Sequence, residues 1–333
     1  MGQTRPPNVP IIRRSIENHQ LPENVTSIIM SSWRRGTTKQ YRCYLNKWEI
    51  FCSRRNINSL HTSVNNVLIF LTELYETGIG YSAINTAKSA LSNVVSLSGN
   101  DSVQLGNHAL VKRFMKGIFN SRPSLPKYTQ VWDVSLVLQY LKSISIEDIT
   151  LKQLTLKTVM LLAVLSGQRV QTLAMLSITN MCLTTDSVQF YIDQLLKQSR
   201  PGKHLGILRF QKYHEENVCI IKHLNMYVDK TKHLRDTDNL LVSYQKPHGA
   251  VTPETISRWI KSVLAASGID TTVYSAHSTR AASTSSAVAQ GCPIDVILKQ
   301  VGWSRAETFG KFYNKTTDNN YTCTIDQKVL ETI

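Results

Sequence analysis

The stretch Ser121–Asp133, reading SRPSLPKYTQVWD, restricts the fold of this chain more than any other part of it. Pro123 and Pro126 each lack a backbone donor and push the residue before them out of the helical region, so no regular element can run through. The 333 residues are thereby divided in two, and each part is long enough to bury a core of its own. The boundaries predicted on this basis are 1–122 for a first domain, 123–132 for a linker, 133–316 for a second domain and 317–333 for a C-terminal tail.

The two parts have different hydrophobic patterns. Thr37–Arg54 places Tyr41, Tyr44, Leu45, Trp48, Phe51 and Cys52 at helical spacing, with Lys39, Arg42, Lys47 and Arg54 among the remaining positions. Val64–Tyr75, Ala83–Leu97 and Val111–Ile118 predict three further helices, separated by Gly78-Ile79-Gly80 and Ser98-Gly99-Asn100-Asp101. The second part is mixed. Val134–Ser143 and Leu151–Leu165 are helical by period, and Ser166-Gly167 breaks the pattern before a new helix near Arg169. Ser187–Leu196 alternates as a strand does, Arg200–Lys203 is a turn, His204–Phe210 is a partner strand, and from Pro253 onward the chain is helical again. The predicted class is mainly α with a small β-hairpin sheet (α+β).

Charge narrows the partner. Against 38 Lys and Arg stand 23 Asp and Glu, a formal net charge of +15. The first 130 residues hold 16 basic and 6 acidic side chains, the remainder 22 and 17. A surplus of this size favours a polyanion, nucleic acid above all. The longest strongly apolar run, Val159–Leu165, is far short of the roughly 20 residues a bilayer-crossing helix needs, so no membrane partner is expected. Met1–Arg14 lacks the apolar core of a secretory signal. The six cysteines, Cys43, Cys52, Cys182, Cys219, Cys292 and Cys323, form no C-x-x-C pair and are expected as reduced thiols, mostly in the core. Cys219, His223 and His233 match no zinc spacing, so no metal is predicted.

Four separated pieces carry chemistry: SGQRVQTL around Arg169, LLKQSRPGKH with Lys197 and Lys203, His277-Ser278-Thr279-Arg280 with His and Arg three apart, and GWSRAETFGKFYNK with Trp303 and Tyr313. In this order and separation they resemble the tyrosine recombinase (phage-integrase-like) family. They look most similar to recombinases of DIRS-like, Ngaro-like and Crypton-like eukaryotic mobile elements. The motifs cover the chain from about Pro126 to Lys315. The resemblance implies a helical core-binding, DNA-clamping domain ahead of a tyrosine recombinase catalytic domain.

Residue by residue, the resemblance implies Arg169 and Arg280 as guanidinium forks on the scissile phosphate, a bidentate geometry that Lys cannot copy. His277 would bond a nonbridging oxygen or assist proton transfer. Trp303 stands where many members have His, and its indole N–H can hold phosphate but cannot shuttle a proton. Tyr313 is implied as the nucleophile that forms a 3′-phosphotyrosyl link, and Lys197 as the general acid for the leaving 5′-oxygen, with Lys203 as its competitor. Such a transesterification keeps the bond energy, so no cofactor and no metal ion is expected. Lys39, Arg42, Lys47, Arg54 and Lys203 are the candidate DNA contacts.

Two departures stand out. Many members carry an acid three positions after the first Arg; here Thr172 occupies it, so another group must orient Arg169. The step from Trp303 to Tyr313 is one residue wider than usual, which puts Phe312, with no hydroxyl, at the usual nucleophile position and requires a longer turn before Tyr313.

The expected function is site-specific recombination or integration for a mobile element, by a homotetramer on double-stranded DNA, a dimer on each site, with no small-molecule substrate. The expected location is the nucleus, or the cytoplasm and nucleoid in a prokaryote. The tail, with Ile325, Val329, Leu330 and Ile333 at near-helical spacing, either docks on a neighbouring protomer or packs on its own domain. The competing readings are a catalytically inactive DNA-binding protein derived from such an enzyme, and a topoisomerase using the same chemistry.

Overall fold

The computed structural model describes residues 9–97, 104–125, 128–303, 306–313 and 315. The predicted tail and Cys323 lie outside the described residues. The chain separates into two compact units, Met1–Pro126 and Lys127–Ile333.

The first unit is helical: α1 (Pro10–Glu17), α2 (Glu23–Met30), α3 (Arg35–Arg54), α4 (Val64–Glu76), α5 (Tyr81–Leu91) and α6 (Ala109–Ser121). The apolar stripe of α3 puts Leu45, Trp48 and Phe51 into a core closed by Phe70 and Leu71 of α4, Ile84 and Leu91 of α5, and Val111 and Met115 of α6. The indole N–H of Trp48 donates to the Ser59 carbonyl at 2.9 Å, so this largest of the core side chains is buried without an unpaired donor. Ser63 caps α4 by accepting from the Asn66 N–H.

Two features differ from the expected pattern. The helices α1 and α2 lie in a segment where periodicity marks no element. The helix expected over Ala83–Leu97 ends at Leu91. The side chains of Ser92 and Asn93 turn back onto the carbonyls of Lys88 and Ser89, and the N–H groups of Val94 and Val95 both close onto the Leu91 carbonyl in the turn that follows. Ser96–Leu97 (β2) then pairs in parallel with His61–Thr62 (β1).

The second unit comprises α7 (Val134–Ser143), α8 (Leu151–Ser166), α9 (Val170–Ala174), strands β3 (Met181–Leu183), β4 (Ser187–Tyr191) and β5 (Ile207–Gln211), then α10 (Ile220–Thr231), α11 (Pro253–Ala266), α12 (Ser278–Ala289), α13 (Ile294–Val301) and α14 (Ala306–Phe312). The centre is α8. It opens with a capping box between Thr150 and Gln153 and buries Leu154, Val159, Met160, Leu161 and Leu162 against α10, α11 and α12. It ends at Gly167, whose φ of +58° suits glycine, and a Cβ there would lie 3.2 Å from the Thr284 methyl and 3.3 Å from a Val301 methyl. Val131 and Trp132, placed in the linker by sequence, are buried in this core, and the Trp132 N–H donates to Ser278 Oγ at 2.9 Å.

The strands form an antiparallel sheet in the order β3-β4-β5, with Phe190 opposite Leu208. Both hairpin strands are shorter than the expected Ser187–Leu196 and His204–Phe210. Beyond Tyr191 one more backbone bond joins the arms, from the Ile192 N–H to the Gly206 carbonyl at 2.8 Å, and the His204 ring then bridges Ser199 Oγ and the Ile192 carbonyl at 2.7 Å each. The cysteines are also less buried than expected: Cys52 and Cys219 are buried, Cys292 is half-buried, and Cys43 and Cys182 are exposed and free.

Two basic side chains, Lys157 and His223, are enclosed in the second unit's core. Lys157 donates to the Ile144 carbonyl at 2.8 Å, and burial pushes its pKa down to about 8. His223 bonds the Cys219 carbonyl at 2.8 Å, and burial pushes it to about 4. An unfolded histidine titrates near 6.5, so below that pH the unfolded chain takes up the proton first and stability falls. Acidification from pH 7 to pH 5 is expected to remove about 2 kcal/mol through His223 alone, at about 1.4 kcal/mol per pH unit. Urea unfolding at both pH values checks this, because His223→Gln should flatten that part of the slope whatever it does to absolute stability.

Candidate active site

The ends of α8, α12 and α13 bring the motif residues together. The left-handed turn at Gly167 lets the chain leave α8 and start α9 two residues later, with Arg169 as the N-cap. His277 occupies the N-cap of α12, and Arg280 lies within its first turn. α13 ends at Gly302, φ +76°, so that Trp303 folds back and its backbone N–H bonds the Leu298 carbonyl. Tyr313 follows the last residue of α14, and its N–H bonds the Phe309 carbonyl at 2.8 Å.

Arg280 is the centre of this arrangement. It is 2% exposed, and its guanidinium carbon lies 4.5 Å from the centroid of the Trp303 ring and 5.5 Å from that of Tyr313. Nη2 reaches the Val301 carbonyl at 3.3 Å, while Nε and Nη1 have no partner among the described residues. Burial, followed by the nearby Arg169 charge, pushes its pKa down to about 9. The Trp303 indole N–H is likewise buried and without a partner among them. Burial also holds His277 below its usual value, assisted by the charges of Arg280, Arg169 and Lys197.

Tyr313 is fastened from behind. Its carbonyl accepts from Ser285 Oγ at 2.5 Å, the same Oγ accepts from the Lys315 N–H at 3.1 Å, and Lys315 Nζ donates to the Tyr128 carbonyl at 2.7 Å. The Tyr313 ring stands 4.4 Å from Trp303 and 6.4 Å from His277, centroid to centroid. Tyr313 lies in the turn after α14, and residues 304 and 305, where a longer turn was expected, lie outside the described residues. Phe309 is buried against Trp303. The side chain of Phe312, expected in the core, lies outside the described residues.

Lys197 is exposed in a turn, close enough for its charge to act on His277. Lys203 lies across the next turn, its backbone paired both ways with that of Arg200. Sequence reasoning missed Gln198. Its Oε1 accepts from Arg169 Nη1 at 2.7 Å, which supplies the orientation that Thr172 cannot give as a carboxylate would. The sequence signal was the absent acid together with a polar residue beside Lys197.

In the first unit, Lys39, Arg42 and Lys47 are exposed on α3, whereas Arg54 stands 3.8 Å from Glu73 and is partly neutralised. A second basic group was missed: Lys88, Lys112 and Lys116 line one groove with Tyr81 and Phe119. Its signal is the near absence of acid, since Asp101 is the only Asp or Glu between Glu76 and Asp133.

Residues 134–320 match the model of the phage integrase family. Solved structures share the fold at low sequence identity. The XerH site-specific recombinase bound to palindromic difH substrate in a post-cleavage complex is 14% identical, with a TM-score of 0.59 over 100% of this chain and 90% of that one. The Tn1549 transposon integrase in complex with transposon right end DNA is 13% identical, with a TM-score of 0.60 over 97% and 98%. A lambda integrase tetramer bound to a Holliday junction is 15% identical, with a TM-score of 0.51 over 90% and 76%. No curated protein matches the chain. None of the described helices is long and apolar enough to cross a membrane.

The turn that delivers Trp303 can be tested directly. A Cβ on Gly302 would meet Gln198 Nε2 at 3.1 Å, at a φ of +76°. Gly302→Ala is expected to lower stability by about 1–2 kcal/mol from the left-handed backbone alone, read as a shift in the denaturant midpoint.

Proposed function

This chain belongs to the phage integrase family, and on that premise we propose that it is a DNA strand-transferring tyrosine recombinase with Tyr313 as nucleophile. The observation that carries the reading is the gathering of buried donors beside one hydroxyl. Nε and Nη1 of Arg280 and Nε1 of Trp303 have no partner among the described residues, and both side chains face the Tyr313 ring. Buried donors without acceptors are costly in a fold, and an anion held there would satisfy several at once.

A scissile phosphodiester fits this chemistry. Its transfer passes through a state with charge on the nonbridging oxygens, which fixed guanidinium and indole donors in a water-poor site stabilise strongly. Tyr313 Oη attacks phosphorus, the bond to the 5′-oxygen breaks, and a 3′-phosphotyrosyl link forms. The phenolic proton goes to His277, kept neutral by burial and by the surrounding cations, and the leaving 5′-oxygen takes a proton from Lys197. Attack by a second 5′-hydroxyl reverses the steps and joins a new strand.

The first unit's exposed cations, on α3 and in the groove of Lys88, Lys112 and Lys116, fit backbone phosphates of double-stranded DNA. Assembly as a tetramer on two duplexes is supported by the likeness to a recombinase solved as a tetramer on a Holliday junction. The resemblance of GWSRAETFGKFYNK to the mobile-element recombinases supports integration or excision of such an element, and with it a nuclear location.

A nicked suicide duplex tests the chemistry. The wild type should form an adduct that survives denaturing electrophoresis; Tyr313→Phe should form none while still shifting the duplex in a native gel. Lys197→Ala should slow adduct formation on the order of 10²–10⁴-fold and recover on a 5′-bridging phosphorothiolate, whose sulfur leaves without a proton. An adduct from Tyr313→Phe would refute the assignment, and no adduct from the wild type would favour a binding protein.

A further inference from the structure

Arg169 has no carboxylate partner among the described residues, and the residue three positions on is the buried Thr172. Its guanidinium is instead held by the Gln198 side-chain carbonyl at 2.7 Å. A neutral acceptor orients the fork without neutralising it, so the full positive charge remains for an anion.

The other end of the same amide makes no hydrogen bond among the described residues and is confined by packing. Gln198 Nε2 is buried and lies 3.1 Å from where a Cβ on Gly302 would be, so the absence of a side chain there makes room for it. Gly302 immediately precedes Trp303, and Gln198 immediately follows Lys197. The base of the lysine turn is tied down independently: buried Ser199 accepts from the Leu196 N–H at 3.0 Å and meets His204 Nδ1 at 2.7 Å. One amide is thus lodged between the elements that carry Lys197, Arg169 and Trp303.

We propose that Gln198 is a positioning residue of the active site, taking over the orienting role of the missing carboxylate and holding the Lys197 turn in register with Arg169 and Trp303. The inference rests on the reading of this site as a phosphodiester transesterification centre. Displacing a reacting group by about 1 Å costs on the order of 10²-fold in rate. Gln198→Met, which keeps the length and removes the acceptor, should therefore slow adduct formation at least about tenfold, with duplex binding and thermal melting close to wild type. The 5′-phosphorothiolate duplex should restore Lys197→Ala but only partly restore Gln198→Met, because Arg169 is displaced as well as the acid. Gln198→Glu keeps an acceptor and should react faster than Gln198→Met.

Wild-type rate in Gln198→Met, full rescue of it by the phosphorothiolate, or equal loss in the Met and Glu variants would each overturn the proposal. If the wild type forms no adduct, the functional reading fails separately. Inorganic phosphate then decides the positioning role: it should raise the melting temperature of the wild type and raise that of Gln198→Met markedly less, and equal shifts would overturn it.

Discussion

The burial of Arg280 organises the candidate site of the second unit. A guanidinium at 2% exposure is tolerated only if its lost hydration is replaced, and among the described residues the Val301 carbonyl accepts from it while the Tyr313 side chain helps to hold its charge. The aromatic faces of Trp303 and Tyr313 supply further stabilisation of the cation. Those contacts require α13 to end where it does, Gly302 to turn the chain back, and the segment after α14 to be pinned to Ser285 and Tyr128. Nε and Nη1 of the guanidinium have no partner among the described residues, which is what the proposed anion site rests on.

The positive surplus serves two physical ends. In the first unit, Arg13, Arg14, Arg54 and Arg55 sit beside Glu23, Glu49 and Glu73, which leaves the lysines and the arginine along α3 and the cations of α5 and α6 as the field offered to a polyanion. In the second unit, Arg169, Lys197 and Arg280 lie close enough to depress the pKa of His277 together. Their mutual repulsion is a strain that an anion placed among them would relieve, which is the electrostatic basis of the proposed function.

Much of the fold was legible locally. Val134–Ser143 is helical over the span that its periodicity marks, and Thr37–Arg54 lacks only its first turn. Failures occurred where local pattern was not what decided the structure. Ser96–Leu97 follows a helical stripe without being helical, because pairing with His61–Thr62 is a contact between distant positions. The hairpin strands end at Tyr191 and Ile207, and past one further backbone bond the arms are held by the His204 side chain, a contact that alternation does not record. In the site, residues of the motifs could be read from their order, but Gln198 could not, since nothing in the spacing of positions 169 and 198 says that they touch.

By itself the sequence determined the two-part division through its prolines and the helical character of both parts through apolar period; net charge and four ordered motifs carried only the expectation of a polyanionic partner and of which side chains would react. The tertiary structure alone decided which of these groups meet and in what state. It put the Lys197 charge close enough to act on His277, brought Tyr313 to Trp303, and set an amide against Arg169 where a carboxylate was missing. The reason is physical: side-chain identity and period are local properties of the chain, whereas burial, pKa and the partner of a hydrogen-bonding group arise only from packing between residues far apart along it.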